Sequence, residues 1–126
     1  MAGEGAAKEP IVAAKRVEIV KSDFAFNERL QFIPTPGHTI DHFSILVGRP
    51  GEDALITGDM IHSPLQGKYP DMGMMADYDS PQAGQTRRKI FDRFSEEPTV
   101  LCASHFPMPS TYRVHRAGAG YKFTAT

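Results

Sequence analysis

The sequence has a single cysteine, no long apolar run and no excess of either charge. Cys102 alone excludes an internal disulfide framework and a zinc site built from several thiolates. The longest apolar runs span only a few residues, which excludes a membrane-spanning helix. A formal net charge of -1, with both signs spread along the chain, provides no basic surface for nucleic acid. We therefore expect neither nucleic acid nor a membrane as a partner.

Several catalytic motifs are also missing. The glycine loops that bind nucleotide phosphates are absent, and so is the nucleophile elbow of a serine hydrolase. Cys102 lies in an apolar segment close to His105, but this pattern is more typical of a buried structural thiol than of a catalytic pair. The first residues lack the charged-then-apolar design of a secretory signal, so we expect a cytoplasmic protein.

The length and composition indicate one globular domain. At 126 residues the chain is long enough for a single domain, and its 40% hydrophobic and 23% charged residues are ordinary values for a globular protein. Residues 1–10 are small, polar and rich in Gly and Ala, which predicts a flexible lead-in. Residues 11–126 are expected to form the domain.

Short apolar segments predict a chain of strands with one helix. Strands are predicted at 17–20, 30–33, 42–47, 54–57 and 99–103, with a terminal hairpin over 112–123. The loop over 63–79 is rich in Pro, Gly and Met, and its length suggests a functional role. Ser80 as N-cap and Pro81 in the first turn begin an amphipathic helix at about 81–95. The order β-β-β-β-α-β indicates an α/β chain with mainly antiparallel strands.

The most informative residues stand at the ends of strands. His38, Asp59 and His105 each follow a predicted strand, and loops at strand ends are where α/β proteins place their chemistry. Glycine precedes both His38 and Asp59, which allows a tight turn and a close backbone approach. Imidazole and carboxylate groups are ligands for zinc, manganese or iron. Taken singly, each of these residues is also typical of a surface or capping position, and the same holds for His42, His62 and His115.

A longer pattern resembles a known family. The segment Thr35-Pro36-Gly37-His38-Thr39, with His42 after it, is similar to the T-P-G-H-T-x-G-H segment of the metallo-β-lactamase superfamily. Thr57-Gly58-Asp59 resembles that family's strand-terminal Gly-Asp, and Ser104-His105 resembles its last metal histidine. The stretch from Gly58 to His62 and the tail from Gly118 to Phe123 look most like the branch that contains methyl parathion hydrolase and related lactonases.

The resemblance implies a fold, a cofactor and roles for particular residues. The fold would be half of an αββα sandwich, and the activity would be metal-dependent hydrolysis of an ester, lactone or phosphotriester in a small-molecule substrate. One or two divalent ions, zinc with manganese or iron as alternatives, would be held by His38 and His105. Asp59 would bridge the ions and act in catalysis. Thr39 and the 63–79 loop would border the substrate, and His42 and His62 would support a ligand or touch the substrate.

The sequence departs from the family pattern at two places. Asp41 stands where the family usually has glycine, which alters the turn and adds a charge near His38. The second departure is larger, because the H-x-H-x-D-H motif that supplies most of the family's ligands is absent. His38, Asp59 and His105 alone would give each of two ions only two protein ligands, whereas such ions need about four or five.

Three interpretations follow from this half-site. The missing ligands come from another polypeptide or from residues outside this sequence, or two copies associate so that each contributes His38, Asp59 and His105. Half a sandwich also leaves one sheet face bare, which favours a homodimer or a complementing chain. The third interpretation is a non-catalytic binding or structural module whose motif residues are relics.

Overall fold

The structure, a computed structural model, describes residues 9–126 and contains one seven-stranded sheet with a long helix. The strands are β1 Ala25–Asn27, β2 Leu30–Pro34, β3 Phe43–Arg49, β4 Glu52–Ile56, β5 Val100–Cys102, β6 Thr111–Ala117 and β7 Gly120–Ala125. A 3-10 helix covers Gly58–Met60, a short helix α1 covers Leu65–Lys68, and the long helix α2 covers Ser80–Ser95. The predicted α/β class with one long helix is confirmed.

The strands lie in the sheet in the order in which they occur in the chain. Every neighbouring pair is antiparallel except β4 and β5, which are parallel. Parallel neighbours cannot be joined by a hairpin, and the connection here crosses over through α1 and α2. The prediction of mainly antiparallel strands is therefore confirmed, with one parallel pair at the centre of the sheet.

The core lies between α2 and one face of the sheet. Ile90, Phe91 and Phe94 of the helix join a buried cluster with Leu55 and Leu101 of the central strands. Side chains alternate between the two faces of a strand, so the neighbouring positions face the other way. On that opposite face the side chains are more exposed; the three clearest cases are Phe43, Val47 and Ile56.

The strand predicted at residues 17–20 is wrong. These residues have no strand partner, and the side chain of Ile19 is 94% exposed. Two or more strands must pair before either is stable, and β1 at residues 25–27 takes the edge position of the sheet instead. The flexible lead-in predicted for residues 1–10 lies largely outside the described residues, and of that segment only Glu9 and Pro10 are described, both helical.

Helix α2 begins one residue earlier than predicted. Asp79 is the N-cap, and its carboxylate accepts a hydrogen bond from the backbone N–H of Gln82 at 2.9 Å. Asp79 has extended backbone angles, as an N-cap requires, whereas Ser80 is already helical. The 63–79 segment also contains helix α1, so it is not a structureless loop.

None of the helices among residues 9–126 combines the length and the apolar character needed to cross a bilayer. The cytoplasmic location expected from the sequence stays a prediction.

Candidate metal centre

Three strand ends bring the predicted ligands to one edge of the sheet. His38 lies in the turn after β2, Asp59 lies in the 3-10 helix after β4, and His105 lies after β5. Ile56 pairs with Cys102 in the parallel register of β4 and β5, so both strands end at the same edge. His62 lies one turn beyond Asp59 and reaches the same cluster.

The carboxylate of Asp59 is the centre of this cluster. Its Oδ2 lies 3.5 Å from His38 Nε2, and its Oδ1 lies 2.8 Å from His105 Nε2. The His62 Nε2 atom lies 3.9 Å from Oδ1. The His62 ring stacks on the ring of His105 at a centroid distance of 4.5 Å and lies 5.0 Å from that of His38. The structure thus brings together His38, Asp59 and His105, and it adds His62 as a close neighbour.

A buried carboxylate, Asp77, orients His38. Its Oδ1 lies 3.1 Å from His38 Nδ1, and its side chain is only 1% exposed. An ionised carboxylate can only accept, so Nδ1 carries the proton and Nε2 presents its lone pair toward Asp59. Ligating histidines characteristically have such a carboxylate on their second nitrogen. Sequence reasoning missed Asp77, which lies 39 positions from His38 in an irregular segment without a motif.

His42 holds the turn that carries Asp59. The backbone N–H of Asp59 donates to His42 Nε2 at 3.0 Å, so the proton of this imidazole is on Nδ1. That Nδ1 lies 2.8 Å from the hydroxyl of Thr35, which lies 3.0 Å from the hydroxyl of Ser44. Ser44 in turn donates to the carbonyl of Thr57 at 3.1 Å. This chain of hydrogen bonds makes His42 a positioning residue.

The glycines before His38 and Asp59 are required by close approaches. Gly37 has φ +135°, and a Cβ there would lie 2.4 Å from the Ala83 backbone of α2. Gly58 has φ +56°, and a Cβ there would lie 2.9 Å from His42 Nε2. Both positions therefore need glycine for conformation and for space. The close approach inferred from the sequence is present at each turn.

Charge and burial keep this cluster suited to cation binding at neutral pH. The hydrogen bond from His105 is the largest cause that lowers the pKa of Asp59, so the carboxylate is ionised. Burial is the largest cause that lowers the pKa of His62 and of His42, so both rings stay neutral. Neutral imidazoles and an ionised carboxylate are the protonation states in which these groups bind a divalent ion.

The donor set fits a divalent transition metal. Ligand atoms of His38, Asp59 and His62 all lie within 4.8 Å of one another. Ligand distances of about 2.0–2.2 Å are normal for zinc, so atoms this close can share one ion after small rotations. The Nδ1 atom of His62 is buried without a hydrogen-bond partner among residues 9–126. Buried polar side-chain atoms are normally hydrogen-bonded, so this nitrogen is an exception.

The other residues singled out in the sequence lie in different surroundings. Thr39 is exposed beside His38, and its carbonyl accepts from the N–H of Gly37. His115 bonds to Thr124 in the β6–β7 hairpin, away from the cluster. Cys102 is half-buried, and burial raises the pKa of its thiol, which agrees with an unreactive structural cysteine.

Arg87 is a second residue whose position the sequence did not reveal. Arg87 is followed in the helix by Arg88 and Lys89, which are exposed, but its own side chain is 1% exposed. The guanidinium donates to the carbonyls of Pro70 at 2.7 Å, Met72 at 3.0 Å and Met60 at 3.3 Å. Arg87 thus ties the segment that carries Asp77 to α2 and to the 3-10 helix.

Comparisons with known proteins agree with this arrangement. A family profile described as "Metallo-beta-lactamase superfamily" matches residues 2–105. The solved structure of the hydrolase AbOPH, of the beta lactamase superfamily, has a TM-score of 0.86 and 29% identity over 95% of this chain. AidC, a dizinc quorum-quenching lactonase, has a TM-score of 0.82 and 21% identity over 96% of the chain. Comparison with curated proteins gave no match.

The chain spans less than half of the proteins that it resembles. It covers 42% of AbOPH and 42% of AidC. It also covers 42% of a probable metal-dependent hydrolase from Staphylococcus aureus, which has a TM-score of 0.71 and 16% identity. The sheet, the crossover helix and the cluster at the strand ends thus correspond to part of a larger fold. With the profile matching most of its length, this chain belongs to the metallo-beta-lactamase superfamily.

Proposed function

We propose that this chain provides half of the active site of a metal-dependent hydrolase, with His38, Asp59 and His105 as metal ligands. The substrate class is a small molecule with an ester, lactone or phosphotriester bond. The likeness to AbOPH, a hydrolase, and to AidC, a lactonase, supports hydrolysis. The Gly58–His62 and Gly118–Phe123 segments support a place near the methyl parathion hydrolase branch.

The observation that carries this proposal is the position of the Asp59 carboxylate. Its Oδ2 faces His38 and its Oδ1 faces His105, at 3.5 Å and 2.8 Å from the respective Nε2 atoms. A carboxylate with one oxygen near each of two histidines could serve as a ligand on both sides. With a side chain that is 48% exposed, Asp59 is also open to substrate.

The residues of the chain have separate tasks around this carboxylate. A divalent ion, when bound, supplies Lewis-acid polarisation of a carbonyl or phosphoryl oxygen and lowers the pKa of water. Asp77 holds the proton of His38 on Nδ1, and His42 fixes the backbone of Asp59. Asp59 stays ionised and provides an oxygen that can accept a proton from water. Thr39 and the 63–79 segment border the space where a substrate would lie.

The remaining ligands come, on this proposal, from a second copy of the chain or from a complementing chain. In the part of the chain that the structure describes, α2 packs on one face of the sheet. The other face exposes apolar side chains, Phe43 at 37%, Val47 at 39% and Ile56 at 42%. An apolar sheet face of this kind is normally buried against another layer.

Metal analysis of the purified protein tests the proposal. We expect zinc, manganese or iron to co-purify or to bind at micromolar concentration, and His38→Ala and His105→Ala to weaken binding. His115→Ala is the matched control, because its ring lies away from the cluster. Lactone, ester and phosphotriester substrates are then assayed with the metal-loaded protein. A wild-type chain that binds none of the three metals would leave only the non-catalytic module.

A further inference from the structure

The surroundings of His62 are unusual for a histidine that is largely buried. Its side chain is 14% exposed, and its Nδ1 is buried without a hydrogen-bond partner. Its Nε2 lies 3.9 Å from Asp59 Oδ1, which is beyond hydrogen-bond distance. Within residues 9–126, neither nitrogen of this ring is therefore hydrogen-bonded. Burying a polar group in this way is unfavourable unless another interaction compensates.

An ion bound through Nε2 would give one of the two ring nitrogens a partner, and Nδ1 would then carry the proton. Nε2 of His62 lies 3.9 Å from Asp59 Oδ1, and one ring nitrogen of His62 lies within 4.8 Å of ligand atoms of both Asp59 and His38. Four ligands at zinc distances lie about 3.3 Å from one another in a tetrahedral site. His38 Nε2 lies 3.5 Å from Oδ2 of Asp59 and His62 Nε2 lies 3.9 Å from Oδ1 of the same carboxylate, both slightly longer than this spacing. A cation placed among the three groups would draw them together.

We infer that His62 is itself a metal ligand, and that His38, Asp59 and His62 hold one divalent ion within this chain alone. The inference rests on the proposed metal-dependent function, and it changes the ligand set that the family pattern implies. On that pattern His105 is a ligand and His62 only supports one. Here His62 supplies the third protein ligand that a catalytic zinc site requires, and the fourth position stays open.

The position of His105 is consistent with a different part in this one-ion site. Its ring is 45% exposed, and its Nε2 already donates to Asp59 Oδ1 at 2.8 Å. His105 can keep this hydrogen bond when an ion binds, because Oδ2 of Asp59, the oxygen nearer to His38, does not take part in it. His105 then orients the carboxylate, and it becomes a ligand only if a second ion is bound.

A pair of substitutions at position 62 separates ligation from packing. His62→Phe keeps an aromatic ring that can stack on His105 but removes the donor atom. His62→Cys removes the ring and restores a donor that binds zinc and cobalt. We expect wild-type protein to bind one ion per chain, with affinity lowered at least about 10-fold in His62→Phe and largely recovered in His62→Cys. His115→Gln is the control for loss of a histidine outside the cluster.

Cobalt(II) gives a readout that does not depend on activity. Competition with a chromophoric chelator measures affinity and stoichiometry, and visible absorption reports the coordination of the ion. If residue 62 is a ligand, His62→Cys with cobalt acquires a sulfur-to-metal charge-transfer band in the near ultraviolet. Circular dichroism of the metal-free variants establishes that each has folded.

The outcomes separate this inference from the proposed function. Wild-type and His62→Phe proteins with equal affinity would overturn the role of His62 and leave the family ligand set standing. Cobalt bound to His62→Cys without a sulfur-to-metal charge-transfer band would show that residue 62 does not ligate the ion. A wild-type chain that binds no metal would overturn the inference and the proposed function together.

Discussion

Asp77 is a single buried residue that orients His38, one of the proposed metal ligands. Its carboxylate accepts from His38 Nδ1, and its second oxygen accepts from the backbone N–H of Met74 at 2.9 Å. The next two residues bind the turn that carries His38. The N–H of Tyr78 donates to the His38 carbonyl, and the N–H of Asp79 donates to the Gly37 carbonyl. The orientation of His38 therefore depends on residues 77–79.

We predict that Asp77→Asn lowers the affinity for zinc by about 10–100-fold, the usual effect of losing such an orienting partner. The amide cannot hold the proton of His38 on Nδ1 as firmly as a carboxylate does. Chelator competition measures the change, and Asp71→Asn is the control, because Asp71 pairs with Arg88 at the surface of the same segment. Equal affinity in the two variants would contradict the role of Asp77.

At this scale the sequence revealed the residues with a motif and missed those without one. His38, Asp59 and His105 stand at strand ends, and their meeting at one edge follows from the sheet. The contact between Asp77 and His38 depends on the path of an irregular segment, and the burial of Arg87 depends on which carbonyls that segment turns inward. Neither path has a periodicity or a turn pattern from which it could be predicted.

Among the elements, α2 does more than cover the sheet. Its N-terminal half binds the 63–79 segment through Arg87, and Thr86 donates to the Pro36 carbonyl at 2.6 Å. This helix thus binds both the turn that carries His38 and the segment that carries Asp77. The site is held by tertiary contacts of one helix as well as by strand ends.

We predict that Arg87→Met destabilises the fold by about 2–4 kcal/mol, because buried carbonyls lose a charged donor. Methionine keeps much of the apolar stem, so packing changes little. Urea denaturation measures the free energy of unfolding, and hydrogen exchange should rise most in residues 70–77. Lys89→Met, an exposed position on the same helix, is the control. A stability loss no larger than that of the control would contradict this account.

A second group of contacts joins α2 to the terminal hairpin. Asp92 accepts hydrogen bonds from Tyr121 of β7 and from Arg116 of β6. The hydrogen bond from Tyr121 is the largest cause that lowers the pKa of Asp92. The ionised carboxylate is therefore the form that stabilises this junction.

We predict that the stability due to Asp92 is lost in acid. A carboxyl whose pKa is lower in the folded chain stabilises fully above its unfolded pKa of about 3.9, and the contribution falls as the pH drops through the folded value. Asp92→Asn should therefore lower the Tm at pH 7, with the difference from wild type shrinking below about pH 4. Thermal melts across this range test it, with Glu18→Gln as the control. A difference that is constant with pH would count against the carboxylate.

Element types were easier to predict than element partners. The long helix followed from its N-terminal signal and apolar spacing, and the terminal hairpin followed from alternation around Gly118 and Gly120. Residues 17–20 have the same apolar character as a strand, but pairing decides whether a segment becomes one. The edge position went to residues 25–27, which no local pattern had marked.

Among residues 9–126, helix α2 covers one face of the sheet and leaves the other face exposed. Phe32 and Phe43 stack at 4.1 Å on neighbouring strands, and Ile45 pairs with Ile56 beside them. This face adjoins the strand ends where the ligands lie. A second chain packed there would bring its own residues close to the Asp59 cluster.

We predict that the chain is a homodimer and that Ile56→Lys converts it to a monomer, since a charge at the centre of an apolar interface loses its hydration. Light scattering on the purified protein gives the mass in each case. Met75→Lys is the control, because Met75 is a fully exposed apolar residue of the 63–79 segment. A wild-type chain that is monomeric at all concentrations would argue for a complementing chain instead.

The single parallel pairing of β4 with β5 also affects how the protein reaches its final form. Asp59 and His105 are separated by 46 positions in the sequence. They meet only after the connection between β4 and β5 has folded. Contacts between residues so distant in the chain form late, because closing a long segment loses entropy before any contact is gained. A cation at this edge would therefore bind only after the crossover has folded. The rate of metal uptake would then report the last step of folding.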